Sequence, residues 1–441
     1  MSELLKVKLT KFVTGERFPV VVTATGMPEY YPNIFLTSTL RVEHKQGKTL
    51  FNAACAVKDL RYWELLTGVD LVERMLSGQF LELEEAEGLV ETLWHSCKSL
   101  QQQLDGKWAI ALAARSKVCQ LDSYRDIRRA AKATAASLLK PGTVAGKLVY
   151  VAKYLKFLGK QAVRAAMDSE RQIALEHELA DLLCAIGRRI PEAHTGYQFA
   201  EYQRLGLTYQ VESLVREVIE PGHPANPWSK KNQLRNSMIV KVLLNLGIRR
   251  GELLNIRIDD IDFRENKISI RRLPDNPDDP RLYEPNVKTL ARSLRMNDAT
   301  ANVLHDYIVS ERSKFKGARK HDFLVVSSQD GAPLSLSSLN LIFAELRRKV
   351  PGIPVDFNCH ICRFTWNDRF SDLCDLKGID AEREKKIRCD IMGWVHTSEM
   401  AAVYTKRTAQ AAADQYLLIC QEEAAGGNLA RLINEITSDR I

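Results

Sequence analysis

Residues 235–256 read RNSMIVKVLLNLGIRRGELLNI and predict two helices separated near Gly247. A short strand at residues 267–272 follows, and after a long loop rich in proline and aspartate a second strand at 293–296 closes a hairpin. The rest of this half reads as mainly helical, with one buried strand at 323–326. The pattern predicts a mainly α-helical domain that carries a small antiparallel sheet.

A second helical segment lies upstream and begins after the break at Pro141 and Gly142. Its apolar residues recur at steps of four and three and predict one buried stripe: Val144, Leu148, Val151, Leu155 and Leu158. Lysines occupy positions off this stripe: Lys147, Lys153, Lys156 and Lys160. For a single helix the simpler interpretation is a solvated basic face, and the alternative is a helix that contacts a phosphate backbone.

The first fifty residues mix short β-like runs at 18–25 and 35–42 with turn residues, and predict a small module of mixed structure. From about Leu50 to Leu139 the pattern is helical.

The bulk composition describes a globular protein with a basic surface. Hydrophobic residues make up 45% and charged residues 27%, which argues against a disordered chain. The net charge of +8 favours a polyanionic partner. Nine scattered cysteines are an odd number, which fits reduced thiols better than a disulfide framework. With no long apolar run to cross a membrane and no secretory signal, we expect a cytoplasmic protein.

Five residues of the C-terminal half offer the groups that a metal-free attack on a phosphodiester needs: Arg249, Lys288, His360, Arg363 and Tyr404. Two guanidinium groups bind phosphate oxygens as planar forks and never lose their charge. A phenol can act as the nucleophile, an imidazole as a proton acceptor and an ammonium as a proton donor to the leaving oxygen.

The motifs around these residues resemble the signature boxes of the tyrosine recombinases, the phage integrase family. LNLGIRRGELLNIRIDDIDF resembles the first box, whose G-x-R-x-x-E-L register selects Arg249 over Arg250 and places Glu252 at the acidic position. HICRF resembles the H-x-x-R box, and VKTLARSLRM resembles the hairpin with the catalytic lysine. MGWVHTSEMAAVYTKR resembles the final box, which contains the tyrosine.

The resemblance implies that Tyr404 attacks the phosphodiester and becomes linked to the 3′-phosphate. Arg249 and Arg363 would bind the phosphate, His360 would accept a proton and Lys288 would protonate the leaving 5′ oxygen. The position before the tyrosine that is usually histidine is occupied by Trp394, one residue further away than is common. His396 is the alternative, and Trp394 is preferred because it follows Gly393.

The resemblance also implies an architecture and partners. We expect a multidomain, mainly α protein with a helical core-binding domain and a mixed α/β tyrosine-recombinase catalytic domain. The expected parts are listed in chain order: an N-terminal accessory region at 1–139, the DNA-binding core domain at 140–220, a linker at 221–231, the catalytic domain at 232–425 and a tail helix at 426–441. Double-stranded DNA is the expected partner of a homotetramer on paired sites, with accessory recombinases or element-encoded proteins as further partners. The chain would be a nucleoid-associated bacterial integrase or transposase that needs no cofactor, metal or membrane.

Several alternatives stay open at this point. Lys267 rivals Lys288, and Cys359 and Cys362 have the spacing of half a zinc site, although a second close pair of ligands is missing from the sequence. A type IB topoisomerase or a resolvase would use the same chemistry. A DNA-binding regulator could keep the fold without the activity.

Overall fold

The computed structural model describes residues 5–43, 47–115, 138–191, 206–397 and 416–421. The chain forms two compact units. The first contains Met1–Gln203 with Asp275–Asp278, and the second contains Arg204–Pro274 with Asp279–Ile441. Within the described ranges, no helix is both long enough and apolar enough to cross a lipid bilayer.

The first unit combines one β-hairpin with helices. Its strands pair antiparallel with Leu5 opposite Thr23. Its elements in chain order are β1 (Leu5–Lys11), β2 (Arg17–Thr23), α1 (Tyr30–Phe35), α2 (Gly47–Thr67), α3 (Leu71–Ser77), α4 (Leu83–Leu93), α5 (Cys97–Arg115), α6 (Pro141–Ala165) and α7 (Ser169–Arg188).

Helix α6 confirms the predicted buried stripe. Pro141 stands at its first turn, where the missing N–H costs no helical hydrogen bond. Val144, Leu148 and the other three stripe residues are fully buried. They belong to one core that also contains residues of β1, β2, α2, α3, α4 and α7. The regions predicted as accessory (1–139) and core-binding (140–220) thus share apolar packing, and the functional division between them stays a prediction.

The predicted β-like run at 35–42 is wrong. Residues Leu36–Arg41 continue α1 as a π-helical turn. Phe35, Leu36 and Leu40 are fully buried on one side of this turn. Helical spacing therefore buries these apolar residues more completely than the two-residue alternation of a strand would.

The second unit is mainly helical around a three-stranded sheet. Its helices are α8 (Tyr209–Val218), α9 (Lys230–Leu246), α10 (Arg250–Asn255), α11 (Asp298–Ser310), α12 (Leu336–Lys349), α13 (Cys359–Leu376) and α14 (Ala381–Met392), with short 3₁₀ turns at Ile258–Asp260, Arg312–Lys314 and Lys316–Lys320. Its strands are β3 (Ile261–Asp262), β4 (Lys267–Ile270) and β5 (Arg292–Arg295).

The sheet has the order β3-β4-β5 and is antiparallel throughout. Ile268 lies between Ile261 and Leu294, so the buried face is continuous across the three strands. The predicted hairpin is therefore confirmed. The strand predicted at 323–326 forms only single bridges, at Phe323 and Val326.

The break between α9 and α10 lies at the predicted glycine. Gly247 ends α9 in the left-handed conformation at φ 59°. A Cβ at this position would lie 2.8 Å from Cγ of Trp366, so a side chain fits neither the conformation nor the space. The main chain is extended at Arg249, and the next helix begins at Arg250.

The predicted fold class is confirmed, since the described residues are mainly helical and carry small antiparallel sheets. α8, which lies before the predicted linker at 221–231, buries Val215 and Val218 in the core of the second unit. The predicted tail helix at 426–441 lies outside the described residues.

Candidate active site

Arg249 is held at the start of α10 by the acid three residues later. Its backbone N–H donates to Oε2 of Glu252 at 2.9 Å, and its Nη1 lies 3.7 Å from Oε1 of the same carboxylate. The R-x-x-E spacing puts the two residues on one turn, so the acid caps the helix and orients the arginine. About a quarter of the Arg249 side chain (27%) stays exposed, which leaves it able to meet a ligand.

Glu252 joins this turn to the loop before β5. Its side chain has no exposed area, and it accepts hydrogen bonds from the Thr289 hydroxyl and from Nη2 of Arg292 at 2.9 Å. Burial alone would raise the pKa of the Glu252 carboxyl. The ion pair with Arg292 and the hydrogen bonds from Arg292, Thr289 and the Arg249 N–H outweigh burial, so the pKa lies below its ordinary value. The group stays ionised and holds its three partners.

Arg363 is almost fully buried, with 1% exposure. Its Nη1 donates to the carbonyl of Gly247 at 2.8 Å and its Nη2 to the carbonyl of Met392 at 3.3 Å. One acceptor comes from the break between α9 and α10, and the other from the end of α14. The guanidinium is thereby fixed between two backbone segments.

Trp394 lies against both arginines. Its ring centroid is 5.0 Å from Cζ of Arg363 and 5.9 Å from Cζ of Arg249. The residue is buried, and its backbone N–H donates to the carbonyl of Cys389 at 2.9 Å. His396 is exposed and lies 3.4 Å from a carboxylate oxygen of Asp390. Of the two candidates for the position before the tyrosine, Trp394 is the one beside the arginines.

His360 shares a pocket with the two arginines. The pocket has a volume of about 600 Å³, and Arg249, His360 and Arg363 are all part of its lining, as are Arg250 and Arg347. Asn358 caps α13 by accepting the backbone N–H of His360 at 2.7 Å, and the His360 ring meets the Phe364 ring edge-on at 4.8 Å. The lining holds four arginines and one acidic residue, so the pocket is cationic.

Lys288 is an exposed residue of the loop before β5, between the buried Val287 and Thr289. Lys288 is not one of the described residues that line the pocket. The loop is nevertheless tied to the site, because the N–H of Leu290 donates to the carbonyl of Gly393 at 2.9 Å. The rival Lys267 lies on β4, and its Nζ is 3.5 Å from Glu265.

Tyr404, the predicted nucleophile, lies outside the described residues. The rest of the predicted set is therefore placed by the structure, and the tyrosine is not.

Cys359 and Cys362 are buried in the first turns of α13, and both are free thiols. Burial raises the pKa of Cys359 to about 12 and the pKa of Cys362 well above its ordinary value. The part of the chain that the structure describes holds no cluster of three or more His, Cys, Asp or Glu side chains with the arrangement of a metal site. The zinc alternative therefore gains no support from the described residues.

The four lysines of α6 differ from one another. Lys147 forms an ion pair at 2.7 Å with Asp59, and only 16% of its side chain is exposed. Lys153 lies 3.2 Å from Glu43 at an exposed position. Lys156 and Lys160 are exposed. The predicted DNA-contacting role of these four lysines stays a prediction, and it has least support at Lys147.

Sequence reasoning missed Arg292, which contacts Glu252, the loop after Lys288 and the last turn of α14. An arginine just before the strand predicted at 293–296 carries no local signal of this kind, because its partners lie 40 and 99 residues away in sequence.

Parts of this chain are similar to known proteins. Residues 209–410 match the model of the phage integrase family. The chain is 27% identical over 136 residues to transposase A from transposon Tn554 of Staphylococcus aureus, a match that covers 30% of this chain and 34% of that protein. The chain thus spans about a third of the length of the curated relatives it matches.

Solved structures resemble the chain at low identity. The XerH site-specific recombinase in its post-cleavage complex with a palindromic difH substrate gives a TM-score of 0.44 at 14% identity, covering 87% of this chain and 93% of that one. The integrase of transposon Tn1549 with circular intermediate DNA gives 0.39 at 17% identity, covering 72% and 94%.

The family match spans α8 to α14, and it contains Arg249, Glu252, Lys288, His360, Arg363, Trp394 and Tyr404. Residues 209–410 are therefore similar to the phage integrase family, the tyrosine recombinases.

Proposed function

We propose that this protein is a site-specific DNA strand transferase that cuts and rejoins DNA through a 3′-phosphotyrosine intermediate. One observation carries the proposal. Two arginines, Arg249 and Arg363, are held beside the same indole by buried partners and line one pocket together with His360.

The pocket suits the charge that develops on a phosphodiester under attack. Two equatorial oxygens of the phosphorane each gain negative charge, and preorganised guanidinium groups stabilise it without reorganisation. Arg363 is immobilised by the carbonyls of Gly247 and Met392, while Arg249 is oriented by Glu252. The indole N–H of Trp394 can donate one further hydrogen bond to an oxygen but cannot transfer a proton at neutral pH.

The proposed reaction conserves the number of phosphodiester bonds. The phenol oxygen of Tyr404 attacks phosphorus, the bond to the 5′ oxygen breaks, and a phosphotyrosine at the 3′ end forms. His360 accepts the phenol proton, and Lys288 supplies a proton to the departing 5′ oxygen. A 5′-hydroxyl of another strand reverses the steps. Because a phosphodiester replaces a phosphodiester, we propose that neither ATP nor a metal ion is needed.

The proposed substrate is the double-stranded DNA of a mobile element. Similarity to a transposase and the match of residues 209–410 to the phage integrase family support this choice. Strand exchange between two duplexes cuts four strands and each chain offers one nucleophile, so we propose a homotetramer on paired sites.

Accessory recombinases or other element-encoded proteins are proposed as further partners, and a bacterial nucleoid as the location. The division into accessory, core-binding, linker, catalytic and tail parts is proposed with it.

The test is a covalent-trapping experiment. The full chain is incubated in EDTA with nicked suicide substrates that carry the ends of its element, and adducts are resolved by denaturing electrophoresis. We expect an adduct with wild type and none with Tyr404→Phe, which retains DNA binding. A wild-type chain that binds these ends but forms no adduct would contradict the proposal. Relaxation of supercoiled DNA that lacks the sites would indicate a topoisomerase instead.

A further inference from the structure

Arg292 is the first residue of β5, and its side chain is 7% exposed. Its guanidinium reaches three separate segments of the second unit. These are the first turn of α10, the loop that contains Lys288, and the last turn of α14. A residue this deeply buried is poorly placed to touch DNA, so any effect it has on the reaction must pass through the groups it holds.

The contact with α10 is an ion pair. Nη2 of Arg292 donates to Oε2 of Glu252 at 2.9 Å, and both side chains are shielded from water. Glu252 in turn accepts the backbone N–H of Arg249. Arg292 therefore neutralises the carboxylate that orients the first phosphate-binding arginine.

The contact with the loop restrains the residues that follow Lys288. Nη1 of Arg292 lies 3.3 Å from the hydroxyl of Thr289 and 3.5 Å from the carbonyl of Leu290. The Thr289 hydroxyl also donates to Glu252. Lys288 itself is exposed, but the backbone on its C-terminal side is bonded to a buried network.

The contact with α14 is to one carbonyl in its last turn. Nε of Arg292 donates to the carbonyl of Ile391 at 2.6 Å, where the helix dipole favours a cation. Two residues on, Gly393 is left-handed at φ 67°, and a Cβ there would lie 2.7 Å from Nη1 of Arg292. The glycine thus lets the chain turn closely around the guanidinium before Trp394.

We propose that Arg292 is a positioning residue that locks the Lys288 loop to Glu252 and to the turn before Trp394, so that the proton donor and the phosphate-binding arginines share one rigid frame. The inference rests on the proposed strand-transfer function. A lysine cannot replace Arg292, because the three segments are contacted by three different nitrogens of a planar fork.

The experiment separates proton donation from phosphate binding with two substrates. One is a normal suicide substrate, and the other has sulfur in place of the bridging 5′ oxygen. A thiolate leaves without a proton, so the sulfur substrate does not need Lys288. Single-turnover rates of adduct formation are compared for wild type, Lys288→Ala, Arg292→Met and Arg292→Lys.

Arg312→Met is the matched control. Arg312 is also a buried arginine of the second unit and donates to the carbonyls of Phe323, Ala318 and His321, none of which lines the pocket. Its loss tests the effect of removing a structural arginine alone. Melting temperature and affinity for the element ends are measured for every variant.

We expect Arg292→Met and Arg292→Lys to cut the oxygen substrate about 100-fold more slowly than wild type, as loss of a proton donor does. On the sulfur substrate we expect the rates of both Arg292 variants to lie within about tenfold of wild type, as for Lys288→Ala. Arg312→Met should show the same small loss of rate on both substrates. Hydrogen exchange at the Leu290 amide should quicken in Arg292→Met but not in Arg312→Met.

Equal deficits of Arg292→Met on both substrates would overturn the inference, as would wild-type rates. A wild-type chain without an adduct on either substrate would instead remove the proposed function. In that case hydrogen exchange at the Leu290 amide still tests whether Arg292 positions the loop. Unchanged exchange in Arg292→Met would refute that role, and faster exchange would support it.

Discussion

The pocket of the second unit and helix α6 of the first unit were both expected to meet DNA, and they are built differently. In the pocket, Arg249 and Arg363 converge because buried partners hold them. On α6 the lysines are spread along one helix, and Lys147 is neutralised by Asp59. Positive charge alone therefore says little, whereas two held arginines that line one pocket indicate a site.

The sharpest test of this contrast is Arg363→Ala. We expect adduct formation to fall about 1000-fold, because a preorganised phosphate-binding group is lost. The Gly247 and Met392 carbonyls also lose a donor, so the melting temperature should drop. Single-turnover trapping and circular dichroism measure the two effects. Cleavage within tenfold of wild type would place the phosphate elsewhere.

Glu252→Gln tests whether the held charge matters for stability. We expect a loss of about 3 kcal/mol in the free energy of unfolding at neutral pH, because Arg292 is left buried without its ionised partner. The pKa of Glu252 is depressed in the folded state, so its contribution is present above the pKa of the unfolded carboxyl and disappears as pH falls through the folded-state pKa. Urea titrations should show the gap between wild type and variant closing on acidification.

Glu345→Gln is the control for that experiment. Glu345 pairs with Lys349 on the surface of α12, and both side chains are more than a third exposed. Its loss should leave the free energy of unfolding unchanged. A similar loss in both variants would mean that burial of the Glu252 pair is not the cause.

Trp394→Phe and His396→Ala together decide which residue completes the pocket. We expect about tenfold slower adduct formation for Trp394→Phe, because the indole N–H is lost while an aromatic ring is kept at this position. His396→Ala should cleave at the wild-type rate, since that side chain is exposed beside Asp390. The reverse result would assign the position to His396.

The smallest effect concerns α6. We expect Lys156→Ala with Lys160→Ala to weaken DNA binding and to reduce the salt slope of log K by about 2, since each phosphate contact contributes roughly 0.9. Lys147→Ala should leave the slope unchanged and lower the melting temperature through the loss of the Asp59 pair. Fluorescence anisotropy across a salt series measures the slopes. Equal slopes for all variants would remove α6 from the DNA interface.

Local patterns predicted much of the fold. The stripe of α6, the break at Gly247 and the β4–β5 hairpin depend on periodicity and turn chemistry over a few residues, and all three are confirmed. The prediction of a β-like run at 35–42 was wrong, because the same apolar residues also fit the buried side of a helical turn. Short apolar runs are ambiguous until their neighbours are known.

The sequence by itself determined which residues are candidates for the site. Resemblance to the signature boxes selected Arg249, Glu252, His360 and Arg363, and the two members of each box lie three residues apart, close to one helical turn. Only the tertiary structure decided what holds them. The choice of Trp394 over His396 as neighbour of the arginines, the neutralisation of Lys147 and the role of Arg292 all depend on contacts between distant segments. Such contacts follow from how the helices and the sheet pack, and no local pattern of residues encodes them.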